Sequence, residues 1–555
     1  MHFKIMLLAG VAAFGAVCPA FASSKLLGSA NVAVIDPPVA HPSETPCVVN
    51  LYQKAVFGAS NANFTYTPPA GCPGPYATIV LSVDVRLNAG IQYDRTGTIW
   101  VGGVPLWFGT TAEPAPNQAP SWHFERDVTD YTSLLASAQS GYALIANYTN
   151  STDTSVITSS AQLLFYPVVA GTAAPRVPDM VIPVAAAGGG TVALNKSSSV
   201  LNITPALPTN IVAAKMDLYL QGQSGDEFWY TCVPDALAGE LESCGGGSVR
   251  EGEIAVDGVP AGVAPVSPWI FTGGIDPFLW SPIPGVQTLD FKPFRVELSP
   301  FAGVLSNGAA HTLSLSVFGA NSYFSVAGAL LLYLDPNSTQ VTGSVTQNTL
   351  TAQPVVKTTN TISTDAKGNI NGGVNTSEDR EFAITGTVVT SAGSVTYQLQ
   401  QSINFTNDQK FKITATGSDY VQAIDQDTLT NVTLMTKAPD GTSSTQTTSH
   451  VTPLNVTINY AVAADGSAKQ ATTIGQVFAD TARLAIGGVV NSQSAVTSGI
   501  ETHDVLDFDS EGNFTGNTGQ GSIAGYLATS TGLPCYGRKL VSSFGVLRAD
   551  TVTCK

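Results

Sequence analysis

Strict alternation of apolar and polar residues limits the fold of this chain more than any other property of its sequence. Every second residue from Ile79 to Leu87 is apolar, with polar residues such as Asp84 among those between. Neighbouring side chains on a β-strand point to opposite faces, so this pattern predicts strands with one buried face. Comparable runs occur at 294–298, 313–317, 395–399, 411–415 and 456–462.

Turn signals separate these runs, and helix signals are few. The pairs Asp257-Gly258, Asp440-Gly441 and Asp465-Gly466 predict hairpin turns. Asp130 predicts a short capped turn, and residues 476–485 form a second candidate helix. With 53 Gly and 33 Pro in 555 residues, the chain is expected to be all-β.

The N-terminus has the pattern of a secretory signal. Lys4 precedes an apolar stretch at 5–17, and Ala20-Phe21-Ala22 forms a small-x-small cleavage site, which predicts a signal peptide at 1–22. Cys18 raises the alternative of a lipid anchor, but Val17 is too bulky for that processing. We therefore expect a secreted or periplasmic protein without a membrane anchor.

Six cysteines remain after the signal and fall into three couples that are close in sequence. An even number in an exported chain indicates disulfides, although proximity alone supports the pairing. No Cys-x-x-Cys motif or Cys/His cluster suggests a metal, so none is expected. The predicted bonds are Cys47–Cys72, Cys232–Cys244 and Cys535–Cys554.

Charge and composition exclude one class of partner and divide the chain into blocks. Only 12% of residues are charged and the formal net charge is −16, so nucleic acid is not an expected partner.

After the signal peptide, the predicted domains cover 23–170, 171–338 and 339–555. The third is rich in Thr, Ser, Asn and Val. All tryptophans lie in the first two: Trp100, Trp107, Trp122, Trp229, Trp269 and Trp280.

Several familiar catalytic patterns are missing from the sequence. There is no Gly-x-Ser-x-Gly elbow and no His-Glu-x-x-His motif. Asp507, Asp509 and Glu511 resemble the start of a calcium loop, but Thr518 stands where the closing Glu belongs. An acidic turn is the simpler interpretation of that segment.

Carboxylate residues beside aromatic residues are the remaining candidates for catalysis. Asp226 and Glu227 come directly before Phe228, Trp229 and Tyr230. Aromatic walls desolvate a carboxyl and raise its pKa, which suits acid–base catalysis. A lone acidic residue is usually a solvated turn or a surface ion pair, so this adjacent pair is the stronger candidate.

Several ordered segments resemble the peptide N-glycosidase A family, with a more distant similarity to peptide N-glycosidase F. The resemblance implies two packed antiparallel jelly-roll or β-sandwich domains, followed here by a C-terminal β domain. The segments include Tyr93-Asp94-Arg95, Thr98-Ile99-Trp100, Ala112-Glu113-Pro114, Asp127-Val128-Thr129-Asp130, Glu227-Phe228-Trp229-Tyr230 and Ile275-Asp276-Pro277-Phe278-Leu279-Trp280.

The resemblance also implies roles for individual residues. Asp94 is the implied primary catalytic acid, Glu227 its partner across the domain interface, and Arg95 the stabiliser of charge. No cofactor is implied. The implied substrate-binding residues are Glu113, Asp226, Trp229, Tyr230, Asp276 and Trp280.

The sequence departs from the related enzymes at two positions. A second Glu late in the first domain falls near Asn147 by strand position, so its role is open or moves to Glu113. Ser281 follows Trp280 where plant members have Arg, which affects expected contacts to the sugar.

The implied activity is hydrolysis of the amide between an Asn side chain and the innermost N-acetylglucosamine of an N-glycan. The expected partners are N-glycopeptides and N-glycoproteins, and the expected state is a monomer. Two alternatives remain open: a non-catalytic glycan-binding β protein, and a two-carboxylate glycoside hydrolase.

Overall fold

The chain is built almost entirely of antiparallel strands. The structure is a computed structural model that describes residues 26–58, 60–196 and 198–554. Its few helical segments are three or four residues long, so the all-β expectation is confirmed. None of the helices in these ranges is long and apolar enough to span a bilayer. The predicted signal peptide at 1–22, with Cys18, lies outside the described residues.

The first eight strands form a jelly roll. One sheet has the order β1-β8-β3-β6 and the other β2-β7-β4-β5, so the chain passes back and forth between two sheets. The alternating residues of β3 are buried between them, as the pattern predicts. Short 3-10 turns at Thr129–Tyr131 and Leu134–Ala136 occupy the expected position, but Asp130 lies inside the first turn and does not cap it. The strands are β1 (Cys47–Phe57), β2 (Ala62–Tyr66), β3 (Tyr76–Leu87), β4 (Thr96–Val101), β5 (Val104–Thr110), β6 (Ser121–Asp127), β7 (Gln139–Ile145) and β8 (Ile157–Pro167).

A second jelly roll repeats this topology. Its sheets have the orders β10-β17-β12-β15, with β9 also on β17, and β11-β16-β13-β14. The strands are β9 (Met180–Val184), β10 (Val192–Leu194), β11 (Leu201–Ile203), β12 (Ile211–Gln223), β13 (Glu251–Val256), β14 (Val259–Pro265), β15 (Phe294–Glu297), β16 (Leu313–Phe318) and β17 (Tyr323–Leu334). Its helices are α1 (Asp235–Ala238) and α2 (Ala302–Leu305), with 3-10 turns at Ser224–Asp226, Trp229–Thr231, Pro277–Trp280 and Ser299–Phe301.

The remaining strands form a long antiparallel sheet, called the C-terminal sheet below. Within the described residues it contains 13 strands, and β21 and β22 are each 21 residues long. The strands are β18 (Thr342–Asn348), β19 (Val356–Asn360), β20 (Ser363–Thr364), β21 (Ile370–Thr390), β22 (Gly393–Ile413), β23 (Asp419–Lys437), β24 (Ser443–Val451), β25 (Leu454–Val462), β26 (Ala468–Ile486), β27 (Val489–Phe508), β28 (Phe514–Ser530), β29 (Leu533–Ser543) and β30 (Val546–Cys554).

The helix expected at 476–485 is wrong, because these residues belong to β26. Strands β24 and β25 pair with one edge of β26, and β27 pairs with the other. Gln476 and Phe478 point inward with the two-residue period of a strand. Pairing on both edges therefore outweighs the local helix propensity of Ala, Gln, Arg and Leu.

The inner face of the C-terminal sheet shares its core with the second jelly roll. One apolar cluster contains Ile384 and Ile403 of the sheet together with Val263 and Leu298 of the jelly roll. Residues 26–46 lie on the first jelly roll and also reach the sheet, where Arg538 donates to the Val34 carbonyl at 2.8 Å. The sheet thus packs against the preceding parts of the chain.

Disulfides and hairpin turns follow the expected pattern. The bonds Cys47–Cys72, Cys232–Cys244 and Cys535–Cys554 are all present, which confirms the pairing by proximity. Asp257 and Gly258 have φ values of 51° and 78° and join β13 to β14, as a type I′ hairpin requires.

Candidate active site

Main-chain hydrogen bonds join the two jelly rolls where β5 meets residues 288–291. The Thr110 N–H donates to the Thr288 carbonyl at 2.9 Å, and the Phe291 N–H donates to the Phe108 carbonyl at 2.9 Å. The Trp107 indole N–H reaches the Leu289 carbonyl at 2.9 Å. Because these groups are buried and paired, the loops that leave β5 and the neighbouring strands have fixed positions.

Three carboxyl groups from separate loops come together beside this junction. Asp94 precedes β4, Glu113 follows β5, and Glu227 follows the 3-10 turn after β12. All three are partly exposed, and the charges of Asp94 and Glu113 act on Glu227. The structure therefore brings together two residues from the first jelly roll and one from the second.

Gly273 ties two of these carboxyl groups to the loop that follows β14. Its N–H donates to Asp94 Oδ2 at 2.8 Å, and the Asp94 N–H donates to Glu113 Oε2 at 3.1 Å. A Cβ atom on Gly273 would lie 2.3 Å from Glu113 Oε2. Any larger residue here would displace the carboxyl pair, so this position requires glycine.

Burial raises the pKa of every carboxyl group in the cluster. Burial, together with the charges of Asp94 and Glu113, raises the pKa of Glu227 to about 7. The pKa of Glu113 is also raised to about 7, mainly by burial. Burial raises the pKa of Asp94 too, but the Gly273 N–H and Arg95 oppose this rise. A negative charge is therefore best stabilised on Asp94.

Arg95 lies next to the cluster with part of its guanidinium available. Its Nη2 is 3.7 Å from Asp153 Oδ2, and its Cζ lies 5.6 Å from the ring centroid of Tyr93. The buried Nε has no hydrogen-bond partner among the described residues. Tyr93 is 46% exposed, so the cluster has an accessible aromatic ring at its edge.

Asp226 faces away from solvent and has its own partners. Its side chain is fully buried and accepts from Arg250 Nη2 at 2.9 Å and from the Ser322 N–H at 2.7 Å. Both carboxylate oxygens are occupied by such bonds. This geometry supports a role in holding the turn before Glu227 and gives no support to the predicted contact with substrate.

The aromatic residues expected to line the substrate site are also buried. Trp229 and Trp280 are each 3% exposed and Tyr230 is 0% exposed. Trp229 packs against Phe405 of β22, with ring centroids 6.4 Å apart. The Trp280 indole N–H donates to the Gly274 carbonyl at 2.9 Å. These side chains support the loops, whereas Tyr93 has the exposed ring.

Asp276 is buried beneath the Gly273 loop. Its Oδ1 accepts from the Phe278 N–H at 2.9 Å, and the carboxyl group of Asp504 in the C-terminal sheet acts on its side chain. Burial, together with the charge of Asp504, raises the pKa of Asp276 to about 7. Asp276 therefore connects this loop to the sheet and, like Asp226, is not positioned for contact with substrate.

Two other candidate positions have ordinary structural surroundings. Asn147 is buried and donates to the Ser155 carbonyl at 3.1 Å. In the acidic turn, Asp509 Oδ1 accepts from the Glu511 and Asn513 N–H groups at 2.9 Å. The described residues contain no group of three or more His, Cys, Asp and Glu side chains that could hold a metal ion.

The sequence predicts no role for Gly273, which lies two residues before the segment Ile275–Trp280 described above. The adjacent glycines Gly273 and Gly274 between two apolar runs were the available signal, since paired glycines mark a close backbone approach. The N–H of Gly273 binds Asp94, which lies 179 positions earlier in the chain.

Comparisons with known proteins give sequence matches over more than half of this chain. The family model described as peptide N-acetyl-beta-D-glucosaminyl asparaginase amidase A matches residues 37–351. The peptide-N4-(N-acetyl-beta-glucosaminyl)asparagine amidase A of Prunus dulcis is 27% identical over 510 residues, covering 85% of this chain and 87% of the relative.

Solved structures give a lower similarity. PNGF-II in space group C2 aligns with a TM-score of 0.35 and 14% identity, over 53% of this chain and 66% of that chain. A crystal structure of peptide-N(4)-(N-acetyl-beta-D-glucosaminyl) asparagine amidase aligns with a TM-score of 0.33 and 16% identity, over 52% and 96% respectively. The family assignment rests on the sequence matches.

Proposed function

The chain belongs to the peptide N-acetyl-beta-D-glucosaminyl asparaginase amidase A family, and we infer from this membership that it is an N-glycan amidase. It hydrolyses the bond between an Asn side chain and the innermost N-acetylglucosamine, converting Asn to Asp and releasing the glycan as a glycosylamine. The observation that carries this function is the cluster of Asp94, Glu113 and Glu227 on loops of two jelly rolls.

Asp94 is the proposed general base. Its ionised form accepts a hydrogen bond from Gly273 and lies beside the charge of Arg95, so Asp94 carries the negative charge most readily. It takes a proton from water as the water oxygen bonds to the amide carbon. The guanidinium of Arg95, whose side chain is 24% exposed, supplies positive charge for the oxyanion that forms.

Glu227 is the proposed general acid. Because its pKa is about 7, it holds a proton in mildly acidic solution. It transfers that proton to the leaving nitrogen as the carbon–nitrogen bond breaks. The charges of Asp94 and Glu113 act on Glu227, so a change in one carboxyl group moves the limb of the pH profile that another group sets.

N-glycopeptides and N-glycoproteins are the proposed substrates. The exposed ring of Tyr93 is suited to the apolar face of a sugar. The three disulfides are typical of proteins outside the reducing cytosol. Export through the signal segment at 1–22, and activity as a monomer, are parts of this proposal.

A defined N-glycopeptide incubated in heavy-oxygen water tests the function. An amidase places the heavy oxygen in a new Asp carboxylate and leaves both core sugars on the released glycan. A glycoside hydrolase leaves one sugar on Asn and the peptide without heavy oxygen, and a glycan-binding protein leaves the glycopeptide intact. Mass spectrometry of both products separates these outcomes, and either of the last two contradicts the proposed function.

A further inference from the structure

Polar amide side chains on the inner face of the C-terminal sheet reach the backbone of the second jelly roll. Inward-facing positions of a packed sheet are usually apolar, but here Gln and Asn alternate with apolar residues along β22, β23, β26 and β28. Asn407, Gln409, Gln422, Gln426, Gln476 and Gln520 are each at most 5% exposed. Apart from Gln426, each of them donates to a main-chain carbonyl of the second jelly roll.

One group of these amides holds the chain just after Glu227. Asn407 donates to the Tyr230 carbonyl at 2.9 Å, Gln422 to the Thr231 carbonyl at 3.0 Å, and Gln409 to the Cys232 carbonyl at 2.9 Å. The sheet thus satisfies three consecutive carbonyls, two in the 3-10 turn and one directly after it.

These amides also bind to one another. Gln422 donates to Gln409 at 2.8 Å, Gln409 donates to Asn407 at 2.9 Å, and Asn407 donates to Gln426 at 2.9 Å. A connected and buried polar network permits few alternative arrangements, so it fixes the turn more firmly than separate contacts would.

A second group holds the segment that contains Gly273. Gln476 donates to the Pro268 carbonyl and accepts from the Val286 N–H, at 2.8 and 2.9 Å, and so bridges the two ends of this segment. Gln520 donates to the carbonyls of Phe278 and Ser281 at 3.0 and 3.1 Å.

Further contacts support the middle of the same segment. Thr502 and Ser522 both donate to the Leu279 carbonyl, at 2.9 and 3.2 Å. The rings of Phe278 and Phe514 stack with centroids 5.4 Å apart. The sheet therefore supports a segment that meets the carboxyl cluster at Gly273, whose N–H binds Asp94.

We propose that the C-terminal sheet is a positioning element of the amidase site, with Gln476 and Gln520 acting as positioning residues for the Gly273 N–H that binds Asp94. The inference rests on the proposed function. Errors of about 1 Å in the placement of reacting groups cost up to about 10²-fold in rate. Loosening the segment should therefore reduce kcat more than it changes KM.

The variant Gln476→Met tests this, with Gln401→Met as a matched control. Gln401 is a buried amide on the same face of the sheet, but it donates to the Val263 carbonyl of β14, away from the carboxyl cluster. Gln476→Met removes the partner of the Pro268 carbonyl and of the Val286 N–H, and Gln401→Met removes the partner of the Val263 carbonyl, so both variants should lower the melting temperature. We expect about a tenfold lower kcat for Gln476→Met and a kcat within about twofold of wild type for Gln401→Met.

The pH profile separates positioning from simple destabilisation. The Gly273 N–H favours ionised Asp94, so its displacement raises the pKa of Asp94 and moves the acidic limb of kcat/KM to higher pH. Gln401→Met should leave this limb in place.

A Gln476→Met variant with wild-type kcat and an unmoved acidic limb would overturn the inference. If that variant does not fold, the same readouts on Gln520→Met decide the question. Wild-type protein that releases no glycan overturns the proposed function and the inference with it. If the wild type is active and the variants keep its kcat and its acidic limb, only the inference is overturned.

Discussion

At the scale of single residues, the site depends on which carboxyl group keeps its charge. Burial raises the pKa of Asp94, but a backbone N–H and a neighbouring guanidinium oppose this rise. In contrast, burial and two nearby carboxylates all raise the pKa of Glu227. These surroundings separate two chemically similar groups into a base and an acid. The same division explains why the cluster needs residues from both jelly rolls.

Replacement of the proposed base should abolish most activity without unfolding the protein. For Asp94→Asn we expect a decrease in kcat of about 10²-fold or more, because an amide cannot take a proton from water. Steady-state kinetics on a defined glycopeptide measure this effect. Asp84→Asn is the control, since Asp84 is an exposed residue of β3. Near-normal glycan release by Asp94→Asn would exclude Asp94 as the base.

Removal of the charge on Glu113 should move the pH profile without removing catalysis. The Glu113 carboxylate raises the pKa of Glu227, so Glu113→Gln lowers that pKa and retains less protonated Glu227 at neutral pH. We expect the alkaline limb of kcat/KM to move to lower pH. A limb that stays in place, or moves upward, would show that the two groups are not coupled in this way.

At the scale of elements, the period-two pattern in the sequence predicted strands such as β3 well, because side-chain alternation is a local property. The segment at 476–485 was mistaken for a helix since its pairing partners lie outside any local window. Asp94 and Glu227 could be proposed from short motifs. The roles of Gly273 and Gln476 could not, because each depends on contacts with residues 179 to 208 positions away.

The acid pair between Asp276 and Asp504 makes stability depend on pH. Burial raises the pKa of Asp276 to about 7 and also raises that of Asp504, whereas both are near 4 in an unfolded chain. Between these values the folded state binds more protons, so stability is greatest at acidic pH and falls as pH rises towards about 7. We expect a higher melting temperature at about pH 5 than at about pH 8.

Asp504→Asn should weaken this dependence. The amide of Asn can donate to an ionised Asp276, so the pair no longer needs a shared proton. The difference in melting temperature between acidic and alkaline solution should become smaller than in wild type. Glu501→Gln, on the outer face of the same strand, is the control and should keep the wild-type difference. An Asp504→Asn variant with an unchanged difference would contradict the role of the pair.

At the scale of the whole molecule, the C-terminal sheet completes the core of the second jelly roll. Removal of the residues after 338 would expose a face that includes Val263, Leu298 and Phe301, which now pack in one cluster with the sheet. Large exposed apolar faces cause aggregation. We expect the fragment 23–338 to be insoluble and inactive, as judged by soluble yield and glycan release. A soluble fragment with wild-type kcat would contradict this expectation.

The contact between Val34 and Arg538 spans 504 positions of the sequence and joins the start of the described chain to its penultimate strand. During synthesis the jelly rolls emerge first, and Gln476, Gln520 and Arg538 follow them. Until then the segment that contains Gly273 lacks the hydrogen bonds that Gln476 and Gln520 supply. Since domains form in the order of their synthesis, we expect the carboxyl cluster to reach its final geometry only after the C-terminal sheet has formed.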